Sequence, residues 1–219
     1  MFFLTRPNIL SKYKKYREVG KALNHKIIDR FISRDIMLIS GRYLGLVSLV
    51  KKNAFIFNNE SETAALMDFS INEYKINGNS AVQLYKDNSM YENHIEDEIL
   101  EASLKSYTSL FKLTNIISQK NTLILSDLIN LNCEQIELID IGLSQTATAS
   151  YLIFLRIVPF ADFNMSGGFG FAFNNDLADY LIKEYKHVAK RVNSSSESLK
   201  RYVAFFKLYR RYGLEIDFC

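Results

Sequence analysis

The sequence contains few of the residues on which familiar chemical sites depend. Its 219 residues include two cysteines, three histidines, two prolines and no tryptophan. Cys133 and Cys219 form no CxxC pair and are too few for a disulfide framework, which indicates a reduced intracellular protein with incidental thiols. Zinc and related metals usually need three or four convergent ligands, often His or Cys. The composition therefore gives no support for a metal site or a bound cofactor.

Long apolar runs are also absent from the sequence. The first residues, MFFLTRPNIL, carry only a short apolar patch before Arg6 and Pro7, which is too short for the core of a signal peptide. The longest apolar stretch, Tyr151 to Leu155, is far below the ~20 residues that a membrane-spanning helix needs. The sequence therefore predicts a cytoplasmic protein with no membrane partner.

Charge is distributed unevenly along the chain, although the formal net charge is only +3. Residues 1–53 contain 12 Lys or Arg against 3 Asp or Glu, whereas residues 54–106 contain 3 against 10. A basic segment followed by an acidic one can dock on itself, on a partner or on a phosphate backbone. The sequence leaves these alternatives open.

The first half of the chain has the periodicity of amphipathic helices. Apolar residues recur at spacings of three and four from Asn8 to Phe31, and Ser33 can cap a second helix that starts near Arg34. Gly41 and Gly45, four apart on that second helix, would allow another element to approach closely. We interpret residues 1–106 as a helical region whose first helix is basic.

Residues 107–173 instead show short, evenly spaced strand patterns. The pattern predicts about five strands in a small antiparallel β-barrel or sandwich. Phe169, Phe171 and Phe173 alternate with small residues, which would direct three rings into a core. Residues 174–219 return to helical spacing and predict two C-terminal helices that pack on the rest. The predicted fold class is α+β.

The usual catalytic and phosphate-binding motifs are not recognisable in the sequence. His94, Glu98 and Glu101 share one helical face, but this arrangement is more typical of a solvated acidic surface than of a metal site. The segment SGGFG (166–170) lacks the P-loop pattern and precedes a strand, so we interpret it as a β-turn. No residue is assigned a catalytic role.

The basic first helix is the strongest candidate for a functional surface. Its cations interleave with Tyr13 and Tyr16, a pattern typical of surfaces that contact phosphates. The candidate residues for binding nucleic acid or another anion are Lys14, Lys15, Arg17, Lys21, Lys26 and Arg30. The alternative is a face that is solvated or paired internally with the acidic segment.

Three short motifs are Glu73-Tyr74 at the end of an aromatic-rich helix, Asp127-Leu128-Ile129, and Arg156-Ile157-Val158-Pro159. They resemble motifs of an uncharacterised bacterial protein family, some of whose relatives carry a zinc-binding SEC-C motif. The similar stretches are ALMDFSINEYKINGNSAVQLY (65–85), residues 109–142 and residues 155–168. The resemblance implies a related fold and no particular activity. The cysteine-rich SEC-C run is missing here, so zinc binding does not carry over.

Arg156 interrupts an otherwise apolar strand and is predicted to be buried. A buried guanidinium needs a carboxylate partner, for which Asp127 and Asp140 are the candidates. Asp127 also ends a strand, where its side chain can hydrogen-bond to backbone N–H groups of a turn. We expect a structural ion pair at Arg156; the alternative is binding of an anionic ligand.

These observations predict a non-enzymatic binding or protein-interaction module of the bacterial cytoplasm, with another protein or a second copy as its partner. The alternative is a nucleic-acid-associated protein that uses the basic first helix. A third possibility is an enzyme whose site is assembled only in three dimensions.

Overall fold

A computed structural model describes residues 6–48, 50, 53–88, 90–130, 134–148 and 150–214. Cys133, Cys219 and the initial MFFLT lie outside the described residues. The helices are α1 (Arg6–Phe31), α2 (Arg34–Leu44), α3 (Glu60–Asp68), α4 (Ala81–Asp87), α5 (His94–Leu104), α6 (Ile141–Thr146), α7 (Ala178–Lys190) and α8 (Glu197–Tyr212). The strands are β1 (Val47–Ser48), β2 (Ala54–Phe55), β3 (Tyr107–Ile117), β4 (Thr122–Asp127), β5 (Ile136–Ile139), β6 (Tyr151–Pro159) and β7 (Asn164–Asn174).

The beginning and end of α2 are determined by local side-chain and backbone chemistry. Ser33 Oγ accepts a hydrogen bond from the Ile36 N–H at 3.3 Å, which confirms the predicted cap. Gly41 lies against the β1–β2 hairpin: a Cβ there would be 2.6 Å from Phe55 Cε1, so the predicted close approach is confirmed. Gly45 was wrongly placed within the helix. It is the C-cap, and its φ of 73° favours glycine.

The five long strands pair in the order β3-β4-β5-β7-β6, and β6 pairs in turn with β3. The α+β class and the number of long strands are therefore confirmed. The prediction that all pairs are antiparallel is wrong for β5 and β7, which run parallel at Leu138↔Asn164 and Ile139↔Met165. An odd number of strands cannot alternate in direction around a closed order, so one neighbouring pair must be parallel.

Three apolar clusters pack against this closed sheet. One lies within it and includes Phe111, Leu125 and Leu155. A second joins α1, α4 and α5 to the end of β6 and the start of β7. The third packs α2, α3 and α8 on the outer face of β6 and β7. The helices of the second and third clusters therefore cover the outer face of the sheet. Arg156 lies on that face, between these two clusters.

The outer face of β6 and β7 is lined with aromatic rings. Phe169, Phe171 and Phe173 are all buried in the cluster beneath α8, which confirms their predicted role. Phe154 stacks on Phe205 at 4.5 Å between ring centroids, and Phe171 stacks on Tyr209 at 4.3 Å. Such contacts stabilise the attachment of α8 beyond the burial of area alone.

No helix in the described part of the chain has an apolar stretch of membrane-spanning length.

Candidate functional site

Arg156 is the centre of a buried charged cluster. Its side chain is only 4% exposed, and its Nε and Nη2 donate to Asp68 Oδ1 and Oδ2, both at 2.9 Å. Nη2 also donates to Glu73 Oε1 at 2.6 Å, and Nη1 donates to Ser106 Oγ at 3.1 Å. Ser198 Oγ donates to Glu73 Oε2 at 2.7 Å. One guanidinium thus contacts two carboxylates, both of which are buried.

A π-helical turn brings the two carboxylates to the same guanidinium. Phe69–Glu73 is π-helical, and the Tyr74 N–H donates to the Phe69 carbonyl at 2.9 Å. In a continuous α-helix, residues five apart lie about 140° apart around the axis. The wider turn changes that angle, so both Asp68 and Glu73 reach Arg156. π-helical turns occur frequently at functional sites.

On the other side of the cluster, a bulge in β7 makes room for Arg156. Leu155 pairs with Gly170, but Ile157 pairs with Ser166, so extra residues of β7 lie opposite Arg156. A Cβ at Gly167 would lie 2.8 Å from the Arg156 Cβ. The segment SGGFG was wrongly interpreted as a β-turn. It lies inside β7, where its glycines permit the bulge and the close approach.

Burial and charge act in opposite directions on the ionisable groups of this cluster. Burial raises the pKa of Asp68, and the neighbouring Arg156 only partly offsets that effect. Burial alone would lower the pKa of the Arg156 guanidinium, but the charges of Asp68 and Glu73 outweigh it and raise the pKa. Arg156 therefore stays positively charged, and its charge stabilises the ionised form of the buried Asp68 carboxyl.

A polar cleft of about 270 Å³ opens above this cluster, and we call it the Arg156 cleft. Arg156 and Glu73 line it, together with α4, α5 and the segment before α8. Hydroxyl and amide side chains make up most of the remaining lining: Asn72, Asn79, Ser80, Gln83, Ser103, Ser106, Ser196 and Ser198. Lys75 is the remaining charged residue of the lining and is exposed at the rim. The cleft offers many hydrogen-bonding groups and little net charge.

The predicted partners of Arg156 were wrong. Asp127 Oδ1 accepts hydrogen bonds from Ser109 Oγ at 2.6 Å and from the backbone N–H groups of Ile129 and Asn130, both at 2.9 Å. This is the turn role that the sequence indicated for it. Strand spacing alone could not reveal that Arg156 points to the helical layer, whereas Asp127 closes a local turn.

Asp140 likewise serves a local function. Its Oδ1 accepts from the Leu143 N–H at 3.0 Å and so caps α6, while Oδ2 accepts from Ser166 Oγ. Arg17 reaches the same place from α1: Nη1 donates to the Ser166 carbonyl at 2.7 Å, and Nη2 lies 3.7 Å from Asp140 Oδ2. Arg17 thus links α1 to β7 through hydrogen bonds.

The six cations predicted to form one binding face of α1 are divided by the structure. Lys14, Lys15, Lys21 and Arg30 are exposed. Arg17 is half-buried in the contact described above. Lys26 contacts Glu92 and Glu96, each at 2.8 Å, and these hydrogen bonds and charges raise its pKa despite some burial. Part of the basic helix is therefore paired internally with the acidic segment.

The two tyrosines of the same helix are not available to stack on a ligand. Tyr13 and Tyr16 are 4% and 5% exposed, and both belong to the cluster around α1. Tyr16 also donates a hydrogen bond to Glu98. Both rings lie on the buried face of α1, together with apolar side chains of the same helix. Their spacing therefore reflects the packing of α1.

The acidic face of α5 shows pairwise contacts. His94 Nε2 lies 2.7 Å from Glu98 Oε1, while Glu101 lies 2.8 Å from Lys86 Nζ. Across the described ranges, no group of three His, Cys, Asp or Glu side chains is arranged to hold a metal ion.

Asp68 was missed by the sequence analysis, and Glu73 was noted only as part of a motif. Residues five apart point in different directions on an α-helix, so their convergence was not apparent without the π-helical turn. A usable signal did exist: two of the resemblance motifs, at Glu73-Tyr74 and at Arg156, contribute residues that contact each other.

Comparison with known protein families identifies a relationship of unknown function. A model of a family whose function is unknown matches residues 8–219. No curated protein and no solved structure matches the chain.

Proposed function

The chain belongs to that family of unknown function, DUF7986, and from its structure we propose a non-enzymatic binding module of the bacterial cytoplasm. Its ligand is a small, uncharged solute with several hydroxyl or amide groups, held in the Arg156 cleft. The family match agrees with the expectation of an uncharacterised family. The specific role rests on the site alone.

The observation that carries this proposal is the position of the buried Arg156 cluster at the floor of a polar cleft. Two backbone irregularities, the π-helical turn before Tyr74 and the bulge at Gly167, occur on opposite sides of Arg156. Both features are over-represented near functional sites. The cleft's volume of about 270 Å³ is just below the lower limit of about 300 Å³ for typical small-molecule sites, so the ligand must be small.

The chemistry of the lining supports a neutral ligand and a binding role. Arg156 and the two carboxylates already pair with one another, so none of the three groups is free to pair with a charged ligand. Both oxygens of Glu73 accept hydrogen bonds, from Arg156 and from Ser198, which supports positioning rather than proton transfer. Hydroxyl and amide groups of the lining can both donate to and accept from a polar solute.

Binding can be tested with D-ribose and D-glucose as probes, using saturation-transfer NMR on the full chain. We expect saturation transfer to at least one probe, with a Kd of about 1 mM, which corresponds to about 4 kcal/mol of binding free energy. Ser103→Phe should abolish it, because Ser103 lines the cleft from α5 and a phenyl ring there would occupy the space.

The matched control is Ser11→Phe, which adds the same ring on the exposed face of α1. It should leave saturation transfer unchanged. Absence of transfer from the parent protein to both sugars would refute the proposal, as would equal transfer in the Ser103→Phe variant.

A second candidate function is association with nucleic acid through α1. The specific observation is the exposure of Lys14, Lys15, Lys21 and Arg30, none of which has an ion-pair partner among the described residues. The burial of Tyr13 and Tyr16 restricts this surface to phosphate contacts. Such binding would have little sequence preference and would depend strongly on salt.

This second candidate predicts the effect of charge reversal. If α1 binds DNA, replacing Lys14, Lys15 and Lys21 together with glutamate should weaken binding of a 20-base-pair duplex at least tenfold at low salt. Fluorescence anisotropy would measure the change. Reversal of three exposed lysines on α7, at Lys183, Lys186 and Lys190, provides a charge-matched control on a different helix. Equal losses in both variants would show that net charge, rather than α1, governs the interaction.

A further inference from the structure

A second concavity, remote in sequence from the Arg156 cleft, lies where α2, the end of α7 and α8 meet. Its volume is about 360 Å³, within the range of about 300–1,000 Å³ typical of small-molecule sites. We call it the basic groove. None of its lining residues also lines the Arg156 cleft.

Three cations from three different elements line the basic groove: Arg42 of α2, Arg191 at the C-cap of α7, and Lys207 of α8. No carboxylate belongs to its lining. Arg42 Nη2 lies 3.4 Å from Asn53 Oδ1. Within the described ranges, the side chains of Arg191 and Lys207 have no hydrogen-bond or ion-pair partner. The groove therefore concentrates positive charge that the protein itself does not neutralise.

Helix chemistry explains only part of this arrangement. Arg42 lies in the last turn of α2 and Arg191 just after the last turn of α7, where positive charge offsets the partial negative charge of a helix C-terminus. Lys207 lies in the middle of α8, where the helix dipole does not account for it. Lys207 is therefore the residue that most needs another explanation.

Lys207 is half-buried, and its ammonium group is held where a positive charge is disfavoured. Burial lowers its pKa, and the nearby charge of Arg211 lowers it further. Desolvating a charge without a partner destabilises a folded protein. An anion bound in the groove would supply that partner.

The rest of the lining is largely apolar. Ile39, Tyr43, Val192 and Val203 contribute apolar surface, and the Tyr43 hydroxyl donates to the Asn193 carbonyl at 3.3 Å across the groove. A ligand with only a charged head would leave this surface uncovered. Cations beside an apolar floor instead match an organic anion.

We propose that the basic groove binds a phosphate monoester that carries a short apolar group. A phosphate dianion matches several cations better than a carboxylate does, and arginine can donate to it through two parallel N–H groups. The apolar group would cover the surface formed by Ile39, Tyr43 and Val203. This proposal does not rest on the Arg156 cleft.

The probe for the test is phenyl phosphate, and isothermal titration calorimetry at low salt measures its Kd. We expect inorganic phosphate to bind at least tenfold more weakly, because it lacks the ring. Phenol, which has the ring without the charge, should also bind at least tenfold more weakly.

The variants test which cations contact the ligand. Lys207→Gln should weaken the binding of phenyl phosphate at least tenfold, and Arg191→Gln should also weaken it. Lys186→Gln, which removes an exposed charge from α7, should leave the Kd unchanged.

Thermal unfolding without ligand distinguishes a binding role from a structural one. Because Lys207 is desolvated and unpaired, Lys207→Gln should leave the Tm unchanged or raise it while binding is lost. The proposal fails if Lys207→Gln binds phenyl phosphate as tightly as the parent protein. It also fails if phenol binds as tightly as phenyl phosphate, or if the parent protein binds neither.

Discussion

Replacing Arg156 with methionine should lower the free energy of unfolding by about 3–5 kcal/mol, because removal of one partner leaves buried carboxylates without compensation. Asp68 and Glu73 would lose a total of four hydrogen bonds to the guanidinium. For a chain of this size, the loss corresponds to a fall in Tm of about 6–20 °C. Thermal and urea unfolding followed by circular dichroism would measure it.

The pH dependence of the Arg156→Met variant provides a separate check. Without the guanidinium, the pKa of Asp68 should rise above its already raised value. A carboxyl whose pKa is higher in the folded state than in the unfolded state takes up protons on folding, so its destabilising effect decreases as the pH falls. The deficit relative to the parent protein should therefore shrink as the pH falls toward the unfolded Asp pKa of about 3.9.

Two further variants define the cause of the Arg156 effect. The triple variant Arg156→Met, Asp68→Asn, Glu73→Gln should recover part of the lost stability, because no charge then remains in this cluster. Lys112→Gln removes an exposed cation from β3 and should change the free energy of unfolding by less than about 0.5 kcal/mol. A loss of less than about 1 kcal/mol in Arg156→Met would contradict the importance assigned to the buried charges.

Replacing Arg210 with glutamine should cost about 3 kcal/mol, since it breaks a second ion pair with a fully buried partner. Arg210 Nε and Nη2 donate to the two oxygens of Glu62 at 2.7 and 2.8 Å, and Glu62 is 0% exposed. The same guanidinium donates to the Gly45 and Ile56 carbonyls at 3.0 and 2.9 Å. Arg210 therefore joins the end of α8 to α3 and to the chain after α2, and urea unfolding would measure its loss.

Arg211→Gln is the matched control for Arg210, because it changes the next residue of the same helix, which is exposed. We expect a change of less than about 0.5 kcal/mol. In Arg210→Gln with Glu62→Gln, the buried charge is removed as well, so the double variant should be more stable than Arg210→Gln alone. A double variant less stable than the single one would show that hydrogen bonding, rather than the unpaired charge, dominates.

Local chemistry allowed several elements to be predicted correctly. The apolar spacing of α1 reflects one buried helix face, and the Ser33 cap depends on residues only three apart. The alternation of Phe169, Phe171 and Phe173 follows from the two-residue repeat of a strand. Each of these features is decided by neighbours along the chain, so each can be identified from sequence periodicity.

The candidate site was harder to predict because its residues come from distant parts of the chain. Arg156 was correctly singled out, since a charge within an apolar strand demands a partner. Its partners could not be chosen among 24 acidic residues without knowing which layer covers β6. Asp127 and Asp140 were the candidates, but Asp127 accepts hydrogen bonds within a local turn and Asp140 caps α6.

The sequence by itself determined the α+β class, the basic first helix, the five long strands and the need to compensate a buried arginine. Periodicity and desolvation act locally, and both can be read from residue order. Only the tertiary structure decided that one strand pair is parallel, that Lys26 and Arg17 are paired internally, and that Asp68 and Glu73 neutralise Arg156. Those outcomes depend on which surfaces of the elements pack against each other. At Arg156, the packing is determined by a π-helical turn and a strand bulge, and neither is apparent from sequence periodicity.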